Sequence, residues 1–271
     1  MGHKIVTESR IKHAGFFFIM ELNIFMKTKT KMKRIFSNLI LIGRPASGKS
    51  EIIDFIHKTS NFNRDQQLHL GKRIHILDDF PMLWAWFEED YFIEHVFGKE
   101  RLHSTSEGYF KEKYMWNLLL RRVSLEHTKI VKDSADEFAD QSIIIEFARG
   151  TEHGGYKEAF EHLSDEILSD AVVLYVKVPY EESLRKNRKR RNPDKPHSIL
   201  EHSLDDKVLE TLYKECDWEE FSSGDKEYLY VRQHKIPYVV FDNMPSKTDS
   251  ADDLAPELNR LLNDLWAIYN R

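Results

Sequence analysis

A three-layer α/β/α fold around a five-stranded, mostly parallel sheet is what the sequence predicts. Short β-branched runs recur between longer helical patterns, the rhythm of strands covered on both faces by helices. A glycine-rich segment, Gly43-Arg44-Pro45-Ala46-Ser47-Gly48-Lys49-Ser50, lies between an apolar run and a helical one. The chain has 271 residues and 41% hydrophobic content, enough for one substantial core carrying excursions. Its net charge of −5, spread through 31% charged residues, argues against a nucleic-acid-coating or membrane-surface protein. The single cysteine, Cys216, rules out an internal disulfide framework and a cysteine zinc cluster, which fits a reduced cytoplasmic setting.

Residues 1–34 read as an N-terminal extension to a body at 35–271. The apolar run 14–26 is too short to span a bilayer and is interrupted by Glu21 and Asn23. The basic run 27–34 follows it on the wrong side for a secretion signal. Methionines recur at Met20, Met26 and Met32, so the extension is expected to be disordered or to begin at a mis-assigned start.

The first strand, expected at 38–42, runs into the glycine-rich segment, which fits G-x-x-x-x-G-K-[ST] in the strand-loop-helix setting of a P-loop. Glycines let the backbone curl so that successive N–H groups face phosphate oxygens, and the following helix start adds its positive dipole end. Gly43, Arg44, Pro45, Ala46, Ser47, Gly48, Lys49 and Ser50 are therefore the expected site for ATP or another nucleoside triphosphate. Lys49 is expected to reach the β- and γ-phosphates, and Ser50 to offer its hydroxyl to Mg²⁺, a hard cation that prefers oxygen.

The second strand, 73–77, ends in Asp78-Asp79-Phe80-Pro81. One of these acids is expected to accept the proton of an acceptor hydroxyl, with Asp78 favoured over Asp79. The competing use is capping a helix that begins near Pro81. A helical insertion at 82–137 carries Trp84, Trp86, Tyr91, Phe92, Tyr109 and Trp116. Core packing is the default for most of these, and the length suggests a cap near the site.

The third strand, 142–145, ends in Glu146, where a buried acid is naturally explained by proximity to Mg²⁺ or Lys49. Just beyond lie Arg149, Gly150, Gly154 and Gly155, available for an acceptor or phosphate. Equally open is an Arg149 that pairs structurally with Glu146 or with helix carboxylates. After the fourth strand, 171–176, a helix carries Arg185, Arg188, Arg190 and Arg191. Arginines there suit a lid, at 183–222, that closes over a triphosphate, the alternative being a solvated face. The fifth strand, 238–241, leads to Asn243, whose backbone is placed to read the base unless the segment is an ordinary turn.

In this order the motifs resemble the P-loop small-molecule kinases, especially the uridine kinase, phosphoribulokinase and pantothenate kinase group, and more distantly the nucleoside monophosphate kinases. The likeness covers 35–243 and rests on the Gly43 to Ser50 loop, on Leu77-Asp78-Asp79-Phe80 where that group carries its acceptor-activating aspartate, on Glu146, and on the arginine helix after Val178-Pro179. Three features depart from the group: Pro81 stands where a tyrosine is common, Phe147-Ala148-Arg149 replaces the usual glycine after the glutamate, and the middle insertion is long. The resemblance implies an ATP- and Mg²⁺-dependent kinase of a hydroxyl-bearing small molecule, a nucleoside or nucleotide among the candidates. Lys49, Arg149, Arg185 and Arg188 would then act as charge stabilisers, and neither membrane nor nucleic acid as partner. The alternative is a P-loop NTPase, or a nucleotide-dependent switch or binding protein, with no small-molecule acceptor.

Overall fold

The computed structural model describes residues 35–134, 140–190 and 204–271. The extension expected at 1–34, the end of the 82–137 stretch, and the middle of the 183–222 lid with Arg191 lie outside the described residues. Along the described chain the main elements are β1 (Asn38–Gly43), α1 (Lys49–Lys58), α2 (Asn61–Leu68), β2 (Arg73–Asp78), α3 (Asp79–His95), α4 (Met115–Asp133), β3 (Gln141–Phe147), α5 (Gly155–Glu161), α6 (Asp165–Leu168), β4 (Ala171–Lys177), α7 (Tyr180–Arg190), α8 (Asp206–Tyr213), α9 (Trp218–Phe221), β5 (Tyr228–Val231), β6 (His234–Asp242) and α10 (Ala251–Tyr269).

One six-stranded sheet has the order β2-β3-β1-β4-β6-β5. Its five parallel strands cover the positions expected from the sequence, four of them one to three residues longer and β6 beginning four residues earlier than the expected 238. The sixth, β5, corrects the expected count of five: it pairs antiparallel with β6 through a tight turn at Arg232 and Gln233. Arg232 takes the left-handed conformation there, φ 51°, without the glycine or asparagine that usually marks such a turn.

All six residues of β1 are buried, as a central strand covered on both faces requires. Period-two alternation sorts its side chains. Ile40 and Ile42 join one core with Ile143, Ile145, Leu120, Val123 and Phe160, whereas Leu39 and Leu41 join the other with Ile52, Ile56, Leu258 and Leu262. Helices α4 and α5 therefore cover one face, and α1 and α10 the other. The second half of the 82–137 stretch, α4, is thus part of the main helical layer. A third apolar cluster joins Leu83, Trp116, Leu119, Leu209, Leu212 and Tyr213 from α3, α4 and α8.

The far end of α3 runs into solvent, with Tyr91 and Phe92 more than half exposed, so these two aromatics are not the core residues expected. Asp90 ties the following segment back to the helix by accepting from the Leu102, His103 and Ser104 backbone N–H groups at 2.8, 2.9 and 2.5 Å.

Strand β1 is flanked by β3 on one side and β4 on the other, so the chain order reverses at this strand. In open α/β sheets such a reversal leaves a crevice beyond the strands' carboxyl ends, where ligands bind. The P-loop leaves β1 at that edge.

Candidate active site

The glycine-rich loop turns sharply between β1 and α1, with Ala46 at φ 55° and Gly48 at φ 113°. A Cβ on Gly48 would lie 2.7 Å from Asn243 Nδ2 and 2.8 Å from Thr248, so glycine is required both by its conformation and by this approach. Lys49 is buried and folds back on the loop, its Nζ donating to the Gly43 and Arg44 carbonyls at 3.0 Å each. It also stands 3.8 Å from Glu146 Oε1. Ser50 is exposed toward the crevice, a cavity of about 840 Å³ that Pro45, Ala46, Lys49, Asp78, Asp79 and Glu146 also line.

The acids come together through strand register. Asp78 at the end of β2 is paired in the parallel ladder with Glu146 on β3, and Glu146 in turn with Leu41 on β1. Asp78 also caps α3, accepting from Phe80 N–H at 2.9 Å, so the capping reading and the site reading describe the same residue. Among the described residues Asp78 forms no ion pair. Burial, then the neighbouring Glu146 and Asp79 charges, push its carboxyl up to about 8. Burial also raises the Glu146 carboxyl against the pull of Lys49, and lowers the Lys49 ammonium. A cation arriving beside these clustered carboxyls would return them toward their ionised forms.

Asp79 faces a different neighbour. Its Oδ2 lies 2.6 Å from Arg149 NH1, both side chains nearly inaccessible. Burial raises the Asp79 carboxyl and Arg149 opposes the rise. The guanidinium further donates to the Ala148 and Trp116 carbonyls at 2.7 and 3.0 Å and lies 5.4 Å from the Trp116 and Phe147 ring centroids. Arg149 is therefore a buried strut paired with Asp79, not with Glu146 and not open to a ligand.

Gly150, Gly154 and Gly155 are likewise occupied by the protein. A Cβ on Gly150 would fall 2.0 Å from the Leu212 carbonyl, and Asp217 accepts from the Tyr156 and Lys157 N–H groups at the start of α5 at 2.7 and 3.0 Å.

Four further expected residues have side chains engaged elsewhere. Arg44 turns away from the cavity and donates to the Tyr213, Val178 and Lys214 carbonyls at 3.1, 3.2 and 3.1 Å, so only its backbone belongs to the loop mouth. The Asn243 side chain is fully buried, its Nδ2 donating to the Ser47 carbonyl at 2.8 Å and its Oδ1 accepting from Lys247 N–H at 2.7 Å, so it pins the P-loop to the β6–α10 connection. Arg185 and Arg188 are exposed and pair with Glu182 and Asp206 at 2.7 and 2.8 Å.

The arginine of α7 that lines the cavity is Arg190, which reaches Glu51 on α1 at 3.0 Å. The buried Ser183 and Asn187 share its helix face, and Ser183 Oγ ties α7 to the P-loop through the Pro45 carbonyl at 2.7 Å. That small-polar face, spaced four and three residues apart, was the available signal for choosing Arg190 over its neighbours.

Among the described residues no group of three or more His, Cys, Asp or Glu is arranged to hold a metal ion. The oxygens at hand, Ser50 Oγ and the Glu146 carboxylate, nevertheless fit Mg²⁺, which commonly takes one or two protein oxygens and completes its shell with water and phosphate.

No family model matches the chain, and no curated protein matches it. Among solved structures, shikimate kinase from Acinetobacter baumannii in complex with shikimate aligns with 86% of this chain and 97% of its own at 14% identity and TM-score 0.38. An unliganded sugar kinase from Janibacter sp. aligns with 85% and 96% at 14% identity and TM-score 0.36. The P-loop α/β/α assignment rests on the sheet order and the phosphate loop, not on these distant likenesses. No helix of the described residues is long and apolar enough to cross a membrane.

Proposed function

We propose that the protein is an ATP- and Mg²⁺-dependent phosphotransferase that moves the γ-phosphoryl group to a hydroxyl of a small molecule, in the manner of the P-loop small-molecule kinases. The observation that supports this most is one cavity lined both by the P-loop Lys49 and, at the end of β2 two strands along, by Asp78, an acid that among the described residues forms no ion pair. In this reading the backbone of 43–50 and Lys49 hold the β- and γ-phosphates. Ser50 and Glu146 hold Mg²⁺, which supplies charge neutralisation along the phosphates. Asp78 orients the acceptor hydroxyl and takes its proton as the acceptor oxygen bonds to the γ-phosphorus and the bond to the β-phosphate oxygen breaks, releasing ADP. Arg190 exchanges Glu51 for phosphate oxygens when the triphosphate binds. The described part of the 183–222 stretch beyond α7 is no mobile lid, since α8 packs on α3 and α4 and Trp218 lies in the core. Arg149 positions Asp79 and the base of α3 without touching the reacting atoms.

Incubating the full chain with γ-labelled ATP and a metabolite library, read by mass shift, tests the proposal. Label should appear on a small organic acceptor. Label released only as inorganic phosphate would instead mark an NTPase.

A further inference from the structure

The charge of the acceptor follows from what walls the cavity beyond the P-loop. That end is built on the apolar cluster of α3, α4 and α8, and presents Phe80, Leu83, Trp116 and Tyr213 together with Asp78 and Asp79. Anionic metabolites are usually gripped there by a free arginine or lysine. Arg149, beside Asp79, is 1% exposed and held on it at 2.6 Å with two backbone carbonyls, so turning it toward a ligand would strand a buried carboxylate. The cavity-lining Arg190 and Lys58 pair with Glu51 and Asp54 of α1, on the P-loop side. Lys49 lies on the loop carbonyls beside Glu146, and the kinase reading assigns it to the triphosphate, not to the acceptor. Among the described residues, this leaves Asp78 as the unpaired charge facing the aromatic walls. An anion placed here meets carboxylates and a bound triphosphate at once, whereas an ammonium meets a carboxylate and aromatic faces.

We propose that the acceptor is an uncharged or cationic hydroxyl compound with a planar or apolar body, and that phosphate- and carboxylate-bearing acceptors are rejected. This rests on the kinase reading of the same cavity and narrows it: nucleosides and amino alcohols fit, nucleotides and hydroxy acids do not.

Matched probes test it on the full chain with Mg²⁺ and a non-hydrolysable ATP analogue. The probes are 2-phenylethanol, phenylalaninol and 3-phenyllactate, and uridine against uridine 5′-monophosphate, with binding followed by saturation-transfer NMR and phosphoryl transfer from ATP followed separately. The uncharged and cationic members should bind roughly 10- to 100-fold tighter than their anionic counterparts. In Asp78→Asn the preference for phenylalaninol over 2-phenylethanol should shrink. Anionic members that bind as well as or better than the others, or no binding by any uncharged or cationic member at millimolar concentration, would overturn the inference. If the charge order holds but no probe is phosphorylated, the charge selectivity of the cavity stands, and the kinase reading is decided separately by the labelled-ATP library. Transfer to an anionic member would leave the kinase reading in place and remove this one.

Discussion

Replacing Arg149 with Met keeps the length of the side chain and removes its charge, which isolates the buried pair with Asp79. The pair has an N···O distance of 2.6 Å with side chains 1% and 8% exposed, so solvent screens it little. Removing one partner of such a pair leaves an uncompensated charge and typically costs about 3–5 kcal/mol. In a domain of this size that is a fall in Tm of roughly 6–20 °C. The loss has a pH signature. Burial already raises the Asp79 carboxyl against Arg149. Without the guanidinium it rises further, and a raised carboxyl contributes stability that is lost as pH rises, because the unfolded chain ionises first. The deficit of Arg149→Met should therefore be smaller near pH 5 than near pH 8. Asp79→Leu in the Arg149→Met background should recover half or more of the loss, since both charges are then gone. Urea unfolding followed by circular dichroism gives all four corners of the cycle. A single-variant loss below about 1 kcal/mol, or losses that simply add, would refute the strut and reopen Arg149 as a ligand-binding group.

Asp78→Asn should stabilise the ligand-free protein. The native carboxyl, pushed up to about 8, keeps a proton that the unfolded chain releases near pH 4, so wild-type stability falls across that window and the variant's does not. Melting curves should coincide near pH 4 and separate in the variant's favour by pH 8; parallel curves would contradict the assignment. Arg190→Ala should weaken Mg-ATP binding or slow turnover about tenfold or more, whereas Arg185→Ala and Arg188→Ala should stay within about twofold by calorimetry and steady-state assay. Equal effects from all three would mean that the exposed ion pairs on α7 also open onto the triphosphate. Burial alone would raise the Asp90 carboxyl, but the Ser104 hydroxyl and three backbone N–H groups bring it down to about 2. Its contribution should be present above pH 4 and fade as pH falls toward 2, and Asp90→Ala should erase hydrogen-exchange protection at Leu102 to Ser104 while leaving β1 protected.

What was legible in the sequence was local. The P-loop is a contiguous pattern whose chemistry fixes its own geometry, and Asp78 and Glu146 stand out because each is an acid at the end of an apolar strand. Strand positions followed from runs such as Leu39 to Ile42, where burial on both faces leaves no polar residue. The errors came from partners distant in sequence. Arg149 and Asp79 are 70 positions apart, and only the β2–β3 register decides that Arg149 meets Asp79 and not Glu146. Arg44 sits in a phosphate-binding motif yet is spent on carbonyls of α8 and of the β4–α7 connection, which no spacing rule foretells. Strand β5 escaped because four residues are too short for a period to register and its turn lacks a glycine. Among the arginines of α7 the choice was legible in principle, since the face shared by Ser183, Asn187 and Arg190 differs from that of Arg185 and Arg188.

The measurement that bears most directly on phosphoryl transfer compares wild type with Asp78→Asn in two readouts, affinity for a non-hydrolysable Mg-ATP analogue and transfer of γ-label to an organic acceptor. Asparagine keeps the shape and the α3 cap but cannot accept the hydroxyl proton. Affinity should stay within a few fold while transfer falls by roughly 10²–10⁴. A variant that transfers label at the wild-type rate would contradict the account, and so would a wild type that releases label only to water.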